Sequence, residues 1–502
     1  MRGIVATLPA RQGDIVSDEL KFGTSGLRGP AGELLGGSAQ RHAAAFLLYL
    51  REIGKAGSGE VFIARDLRAS SPAISAQISA AIAGMGMTPV DCGVLPTPAL
   101  ALHAMAHDAP AIMVTGSHIP ADRNGLKFYT AKGEITKADE AGILAALPRA
   151  TGVFPPAAAR DAFARAGDRY RRRYMGLLSP GLLNGWRIGV FEHSSVARDI
   201  LVSLLTRAGA DVLRLGRADV FVAVDTEATQ DPLFSARQRW IESYRLDGIV
   251  STDGDADRPL VIDGKGDFLR GDLLGLLTAR LVGAHAIVTP VTSNSAIETK
   301  GGIANVRRTR VGSPYVITGM EGARGGADSV VVGFEANGGV LLGNAVTVNG
   351  ITLAALPTRD AVLPILAALS IAAQSRCGLA DLTDATGLSH ALSDRLQDVN
   401  IERSAEFVRR LTKDTSYAAA FFVGAGKPVG LSSIDGPRFR LSGGEIVHYR
   451  PSGNAPELRC YVEARTPERA QTLLDWGLKA AAEAIGSKPR GGDIKAQAGS
   501  GV

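Results

Sequence analysis

The stretch "IMVTGSHIPADRNGLKF", residues 112–128, joins an apolar run from Ala111 to Val114 to Gly116, Ser117 and His118, with Pro120 just beyond. An apolar run broken by turn-forming residues predicts a buried strand opening into a loop that presents Ser117 rather than packing it. The serine is either presented for a function or part of an ordinary solvated turn, and this motif alone leaves both open. No GxSxG elbow surrounds Ser117, which argues against a hydrolase triad.

In "STDGDADRPLVID", residues 251–263, Asp253, Asp255 and Asp257 are separated only by Gly254 and Ala256. Three carboxylates this close repel one another unless a hard cation neutralises them, and oxygen ligands suit Mg²⁺ or Ca²⁺. An EF-hand is excluded, because its sixth position would be Arg258 and its twelfth Gly264. A solvated acidic turn is the competing reading.

Further loops offer binding groups. "HYRPSGNAPELR", residues 448–459, combines Arg450 and Arg459 with the Ser452 hydroxyl, the Gly453 backbone and the Asn454 amide, a set able to cradle a phosphate or to form a plain turn. "GFEANGG", residues 333–339, ends a Val-rich run at Glu335 and Asn337, whose polar groups could hold vicinal hydroxyls. "KFGTSGLRG", residues 21–29, sets Arg28 among glycines. The "VGAGKPV" stretch is no P-loop, because Phe421 and Pro428 stand where that motif needs Gly and Ser or Thr.

The elements that must position these loops alternate. Strand-like "EVFIARD" and "APAIMVT" flank the Ala-rich helical "SAQISAAIAGMGM", which indicates an α/β unit. A second unit begins near residue 153 with "RDAFARAGDRYRRRYMGLL", "WRIGVFE" and "SVARDILVSLLTRAGA". A third runs through "GDLLGLLTARLVGA", "HAIVTPVTS" and "DSVVVGFEANGG". From about Cys377 the pattern becomes that of a smaller α+β unit, ending in a helix with Thr466 as N-cap and Pro467 at its first position. The expected domains are 1–152, 153–262, 263–376 and 377–486, with 487–502 a mobile tail.

With 502 residues, 45% of them hydrophobic and 21% charged, the chain can build several cores and has no run suited to a membrane span. Cys92, Cys377 and Cys460 are odd in number and far apart, which suits a reducing compartment and excludes a disulfide framework. With no signal-peptide h-region, a cytoplasmic location is expected. The net charge is +5, but only Arg171, Arg172 and Arg173 form a run, which reads as a solvated helix face. Aromatic residues make up 5%, too few for nucleic-acid stacking platforms. A monomer or weak oligomer acting on anionic small molecules is expected, with no nucleic-acid or membrane partner.

Taken in order, "KFGTSGLRG", "TGSHIP", "DGDADRP", "GFEANGG" and "RPSGNAPELR" resemble the signature loops of the α-D-phosphohexomutases, which include phosphomannomutases, phosphoglucomutases and phosphoglucosamine mutases. The resemblance spans residues 20 to 485 or thereabouts. It implies an α/β fold: three similar α/β domains with mixed sheets plus a C-terminal α+β domain around a central cleft. It implies that Ser117 carries a phosphoryl group and that Asp253, Asp255 and Asp257 hold Mg²⁺ against the phosphate on Ser117. Arg28, His118, Lys127 and Arg258 match the charged residues around the transferring group, with Lys127 as the acid/base candidate and Arg28 and His118 near it. Glu335 and Asn337 would read sugar hydroxyls, while Arg450, Ser452, Gly453, Asn454 and Arg459 would grip the phosphate that is not reacting.

The implied reaction interconverts hexose 6-phosphate and hexose 1-phosphate through a hexose 1,6-bisphosphate, which also serves as activator. Mannose is the leading hexose and glucose the second. A phosphoglucosamine mutase, a non-catalytic sugar-phosphate sensor and a phosphatase are the alternatives. Two departures stand out. Several relatives carry Glu-x-Ser-Gly-His where this chain has Glu335, Ala336, Asn337, Gly338 and Gly339, so a histidine is missing. Asn454 stands where threonine is common, and Ala455 where phosphoglucosamine mutases often have Glu.

Overall fold

The computed structural model describes residues 20–23, 25–152, 154–227, 231–326, 329–451 and 456–486. The segment 487–502, expected as a mobile tail, lies outside the described residues, as do Ser452, Gly453 and Asn454.

Three sheets repeat one plan. In the first unit, strands Glu60–Arg65, Thr88–Val94 and Ala111–Val114 are parallel, and Arg123–Thr130 runs antiparallel beside the third. The second unit does the same with Arg187–His193, Asp211–Arg217, Gly248–Thr252 and Pro259–Asp263. The third uses Ala286–Pro290, Asn305–Thr309, Val331–Phe334 and Val340–Leu342. In each, the spatial order is second, first, third, fourth. The apolar runs seen in the sequence are the buried parallel strands, which carry side chains into both faces. The Ala-rich stretch forms the helix Ser71–Gly84, beginning earlier than its alanines because Pro72 fits the first turn, where no amide partner is lost.

The connection from third to fourth strand falls at residues 115–122, 253–258 and 335–339. The three loops singled out for chemistry therefore occupy one topological position in three successive units. A parallel strand must be followed by a crossover, whereas a switch to antiparallel pairing needs only a tight loop. That loop is the place where a few residues can be held at a sheet's end.

The last unit is an antiparallel sheet in the order His390–Leu396, Leu458–Ala464, Ile446–Pro451, Arg438–Leu441, Pro428–Ser432, packed against helices Ile401–Lys413 and Pro467–Ile485. Thr466 caps the second of these by accepting from the Arg469 amide, and Gly486 ends it at φ 63°. Its core, around Phe407, Phe422, Tyr449 and Leu473, is a cluster of its own. The first three units instead share one large apolar cluster, through helices Thr97–Met105, Phe163–Tyr174, Gly271–Leu281 and Val362–Ser375.

The arginine run is not wholly a solvated face. Arg171 and Arg172 are exposed, but Arg173 is buried and donates to the Tyr174 hydroxyl at 3.0 Å. Its position on the helix turns it inward, where the hydroxyl partners it. Cys92 and Cys460 are buried and Cys377 is half-buried, all as free thiols. No helix among the described residues is long and apolar enough to cross a membrane.

Candidate active site

Ser117 is not solvent-presented as its sequence context suggests. It is fully buried, at φ 54°, a left-handed conformation that a non-glycine residue holds only when its surroundings impose it. Arg68, itself buried, imposes it. Its guanidinium donates to the carbonyls of Ser117 (3.0 Å), Ile119 (2.6 Å), Pro120 (2.5 Å) and Arg123 (2.8 Å), and to Asp66 at 3.1 Å. Thr115 closes the other side: its hydroxyl donates to Asp66 at 2.8 Å and accepts from the Ser117 amide at 2.8 Å. Gly116 is obligatory, because a Cβ there would lie 2.7 Å from the Arg68 guanidinium carbon. Phe221, from the second unit, covers that guanidinium at 3.9 Å.

The loop bends the serine toward the second unit. Ser117 Oγ donates to Asp253 Oδ2 at 2.5 Å and lies 3.3 Å from His118 Nδ1. Asp253, Asp255 and Asp257 are buried, and one ligand atom from each lies within 4.8 Å of the others. Lys127 Nζ donates to Asp255 Oδ2 and Asp257 Oδ2, both at 2.5 Å, and Thr97 donates to Asp255 Oδ2 at 2.5 Å. Among the described residues, Asp255 Oδ1 and Asp257 Oδ1 are buried with no hydrogen-bond partner, Asp257 Oδ1 having only Arg258 Nε at 3.9 Å. A buried carboxylate oxygen without a donor is costly, and two side by side in a triad fit a divalent cation with oxygen ligands.

The electrostatics agree. Burial, then Asp255 and Asp257, push the Asp253 carboxyl well above the usual range. Burial would raise Asp257 too, but Arg359, Lys127 and Arg258 hold it below the usual range. Burial would lower Lys127, yet Asp255 and Asp257 outweigh it and keep an ammonium. Burial, then Arg258 and Arg28, hold His118 well below its ordinary value, so its imidazole is neutral at pH 7.

The cations that act on His118 have donors to spare. Among the described residues, Arg28 Nε and Nη2, Arg258 Nε and Arg359 Nε are buried without a hydrogen-bond partner, Arg258 Nε lying 3.9 Å from Asp257 Oδ1. Burial and the nearby Arg258 and Arg359 lower Arg28 to about 10, so it stays charged at neutral pH. Arg258 sits within 3.6 Å of Glu227 and 3.9 Å of Asp225. Clustered guanidiniums with N–H groups left over are a seat for an anion, and phosphate suits their fork geometry.

The structure thus brings Ser117, His118, Lys127, Arg28, Arg258 and the three aspartates together, with Glu335 joined through Arg359. Arg359 donates to Glu335 Oε2 at 2.8 Å and to Asp257 Oδ2 at 2.6 Å. Asn337 faces its own loop, accepting from the Gly339 amide at 3.1 Å. Arg450 and Arg459, cross-strand partners, form ion pairs inside the last unit, with Asp435 (2.7 Å) and Glu457 (3.5 Å). Among the described residues Arg459 Nε is buried without a hydrogen-bond partner, and Glu227 feels the charges of both Arg258 and Arg459.

Sequence reasoning missed Asp66, Arg68, Thr97, Thr115 and Arg359. For Asp66 and Arg359 a signal existed: in "FIARDLR" and "LPTRDAVLP" an Arg-Asp pair stands at the end of a strand, with Arg68 two residues beyond the first pair. Thr97 and Thr115 carried none, since nothing in their local pattern separates them from structural threonines.

Comparison with known proteins shows which family the whole chain resembles. The family signature described as phosphoglucomutase/phosphomannomutase, alpha/beta/alpha domain I, matches residues 19–152, and that of domain III matches 270–387. A phosphomannomutase of Sinorhizobium fredii is 49% identical over 465 residues, covering 91% of this chain and 98% of that protein. A phosphomannomutase of Salmonella muenchen is 40% identical, covering 91% and 94%. Among solved structures, a phosphoglucomutase/phosphomannomutase family protein from Burkholderia thailandensis superposes with a TM-score of 0.72 at 21% identity, over 92% of this chain and 97% of that one.

Proposed function

We propose a function from one established premise: the chain belongs to the phosphoglucomutase/phosphomannomutase family. It is a hexose-phosphate mutase, and we read its main substrates as mannose 6-phosphate and mannose 1-phosphate, with the glucose phosphates second. The mannose reading is supported by two relatives named phosphomannomutase at 49% and 40% identity. The observation that carries the mechanism is Ser117 Oγ at 2.5 Å from Asp253, within a buried triad whose outward oxygens lack donors.

Asp253, Asp255 and Asp257 would hold Mg²⁺, with Ser117 contributing through its phosphate. The ion would supply charge neutralisation for the transferring group. In our reading, phospho-Ser117 gives up its phosphoryl group: the P–Oγ bond breaks, a P–O bond forms to the sugar's free hydroxyl oxygen, and that hydroxyl's proton passes to a neighbouring base. The resulting hexose 1,6-bisphosphate turns over and returns its other phosphoryl group to Ser117. Arg28 and Arg258 neutralise the phosphate in flight through their unspent N–H groups. Lys127, kept as an ammonium, supplies positive charge and a proton to the departing oxygen, while neutral His118 beside Oγ is the group able to accept one. Glu335 and Asn337 address the sugar hydroxyls. Arg450 and Arg459, with Ser452, Gly453 and Asn454, hold the phosphate that is not reacting. The three free cysteines support a reducing, cytoplasmic setting, and we read the protein as a monomer or weak oligomer.

The test is product analysis with mannose, glucose and glucosamine 1-phosphates in parallel, each with its 1,6-bisphosphate and Mg²⁺. Isomerised sugar phosphate, fastest for mannose and abolished by excess chelator, is the expected result. Release of inorganic phosphate instead, or full activity in chelator, overturns the reading.

A further inference from the structure

Arg359 is an arginine that the reaction as described above does not use. Its side chain is only 2% exposed, so its charge must be matched inside the protein. One arm of the fork goes to the Glu335 carboxylate of its own unit, the other to the Asp257 carboxylate of the second unit. Glu335 and Asp257 belong to two of the three topologically equivalent loops, and this guanidinium joins them.

The fit is built from two sides. In the 335–339 loop, a Cβ on Gly339 would lie 2.8 Å from Arg359 Cδ and 2.8 Å from the Asp257 carbonyl oxygen. The loop ends in a glycine, and the stem of Arg359 lies against it. The next residue anchors the strand. Asp360 accepts from the hydroxyls of Tyr170 (2.8 Å) and Tyr174 and from the Val362 amide at 2.8 Å. The strand Leu356–Asp360 is thereby fixed to helix Phe163–Tyr174, and the guanidinium of Arg359 with it.

We infer that Arg359 is a positioning residue that serves the sugar-reading carboxylate and the cation-facing carboxylate at once, so that sugar affinity and metal affinity oppose each other through one guanidinium. By engaging Glu335 Oε2 it orients that carboxylate and leaves Oε1 for a hydroxyl. By engaging Asp257 Oδ2 it leaves Oδ1 for the cation, while adding a positive charge that disfavours a second one. The inference rests on the mutase reading for its sugar, but its signature needs no turnover.

The experiment measures Mn²⁺ binding to the metal-free protein by electron paramagnetic resonance, and mannose 1-phosphate binding by calorimetry, in the wild type, Arg359→Met and Arg359→Lys. Arg359→Met should bind Mn²⁺ roughly tenfold more tightly, since a unit charge beside a ligand is gone. It should bind the sugar phosphate roughly 10- to 100-fold more weakly, as Glu335 loses a charge-assisted partner. Arg359→Lys keeps the charge without the fork, so Mn²⁺ affinity should stay within about threefold while sugar affinity falls. Opposite signs for the two ligands are what mere structural damage cannot produce. Weaker Mn²⁺ binding in Arg359→Met, or unchanged sugar affinity in Arg359→Lys, overturns the inference. If Arg359→Met does not fold, Arg359→Lys alone decides. A wild type that shows these binding responses but isomerises no sugar would sink the mutase reading and leave the coupling in place.

Discussion

The loops at 115–122 and 335–339 occupy the same place in two copies of one strand plan, yet they are held in opposite ways. Arg68 spends its guanidinium on carbonyls and a carboxylate of its own unit. Arg359 divides its fork between its own unit and the aspartate loop of another, and among the described residues leaves Nε without a hydrogen-bond partner. The first loop must keep one serine in a strained conformation, and a closed local network does that without help from the substrate. The second must respond to what binds. Equivalent topology therefore sets where a loop lies, while the reach of its arginine sets whether it acts alone or with its neighbours.

The largest expected effect tests what the first loop exists to hold. Ser117→Ala should lower turnover by roughly three or more orders of magnitude while leaving the thermal midpoint close to wild type. Intact-mass measurement after incubation with a sugar bisphosphate checks it, and a phosphate adduct persisting in the variant would remove Ser117 from its role.

Next, Arg68→Met should break the closed network without touching the reacting groups. It strands buried carbonyls and the Asp66 carboxylate, so a loss of about 3 kcal/mol or more is expected in denaturant titrations, with a large fall in kcat. A stable variant with normal kcat would show that the loop holds itself, and the contrast with Arg359 would dissolve.

Arg450→Ala lies outside both loops and calibrates them. Loss of a guanidinium contact to phosphate should cost about 2–3 kcal/mol in sugar phosphate binding, equally for 1-phosphate and 6-phosphate substrates. KM in both directions reads this, and impairment in only one direction would mean that Arg450 does not grip the phosphate that is not reacting.

The smallest effect belongs to Asn337→Ala. Its side chain closes the 335–339 loop by accepting from the Gly339 amide, so its removal should raise KM less than tenfold, at about 1 kcal/mol, with stability almost unchanged. A larger loss would indicate that the loop is locally held after all, as the first one is.

Residues whose role shows in local pattern were legible in the sequence. Ser117 could be found because glycine and proline bracket it after an apolar run, and the aspartates because no ordinary strand tolerates three carboxylates two apart. The α/β units, the α+β change and the Thr466 cap follow from periodicity and capping chemistry. Burial of Ser117 was not legible, because Asp253, which receives its hydroxyl, and Phe221, which covers Arg68, are supplied by another unit. Arg359 was hidden for the same reason, its partners lying 24 and 102 residues away along the chain. Arg173 misled because a run of three arginines looks uniform until the helix turn assigns the third to the interior.

The separate core of the last unit has a thermal consequence. No apolar residue of its cluster is shared with the cluster that binds the first three units, and its ties to them include polar bonds such as Arg270 to the Ala391 carbonyl (2.8 Å), Asn294 to the Ser389 carbonyl (2.7 Å) and the Val311 amide to Asp435 (3.0 Å). Cooperativity in unfolding follows shared apolar burial far more than hydrogen bonds across a seam. The last unit is therefore expected to melt apart from the first three. Calorimetry should resolve two heat-absorption peaks in the ligand-free protein, and a bound bisphosphate, gripped from both sides, should draw them toward one.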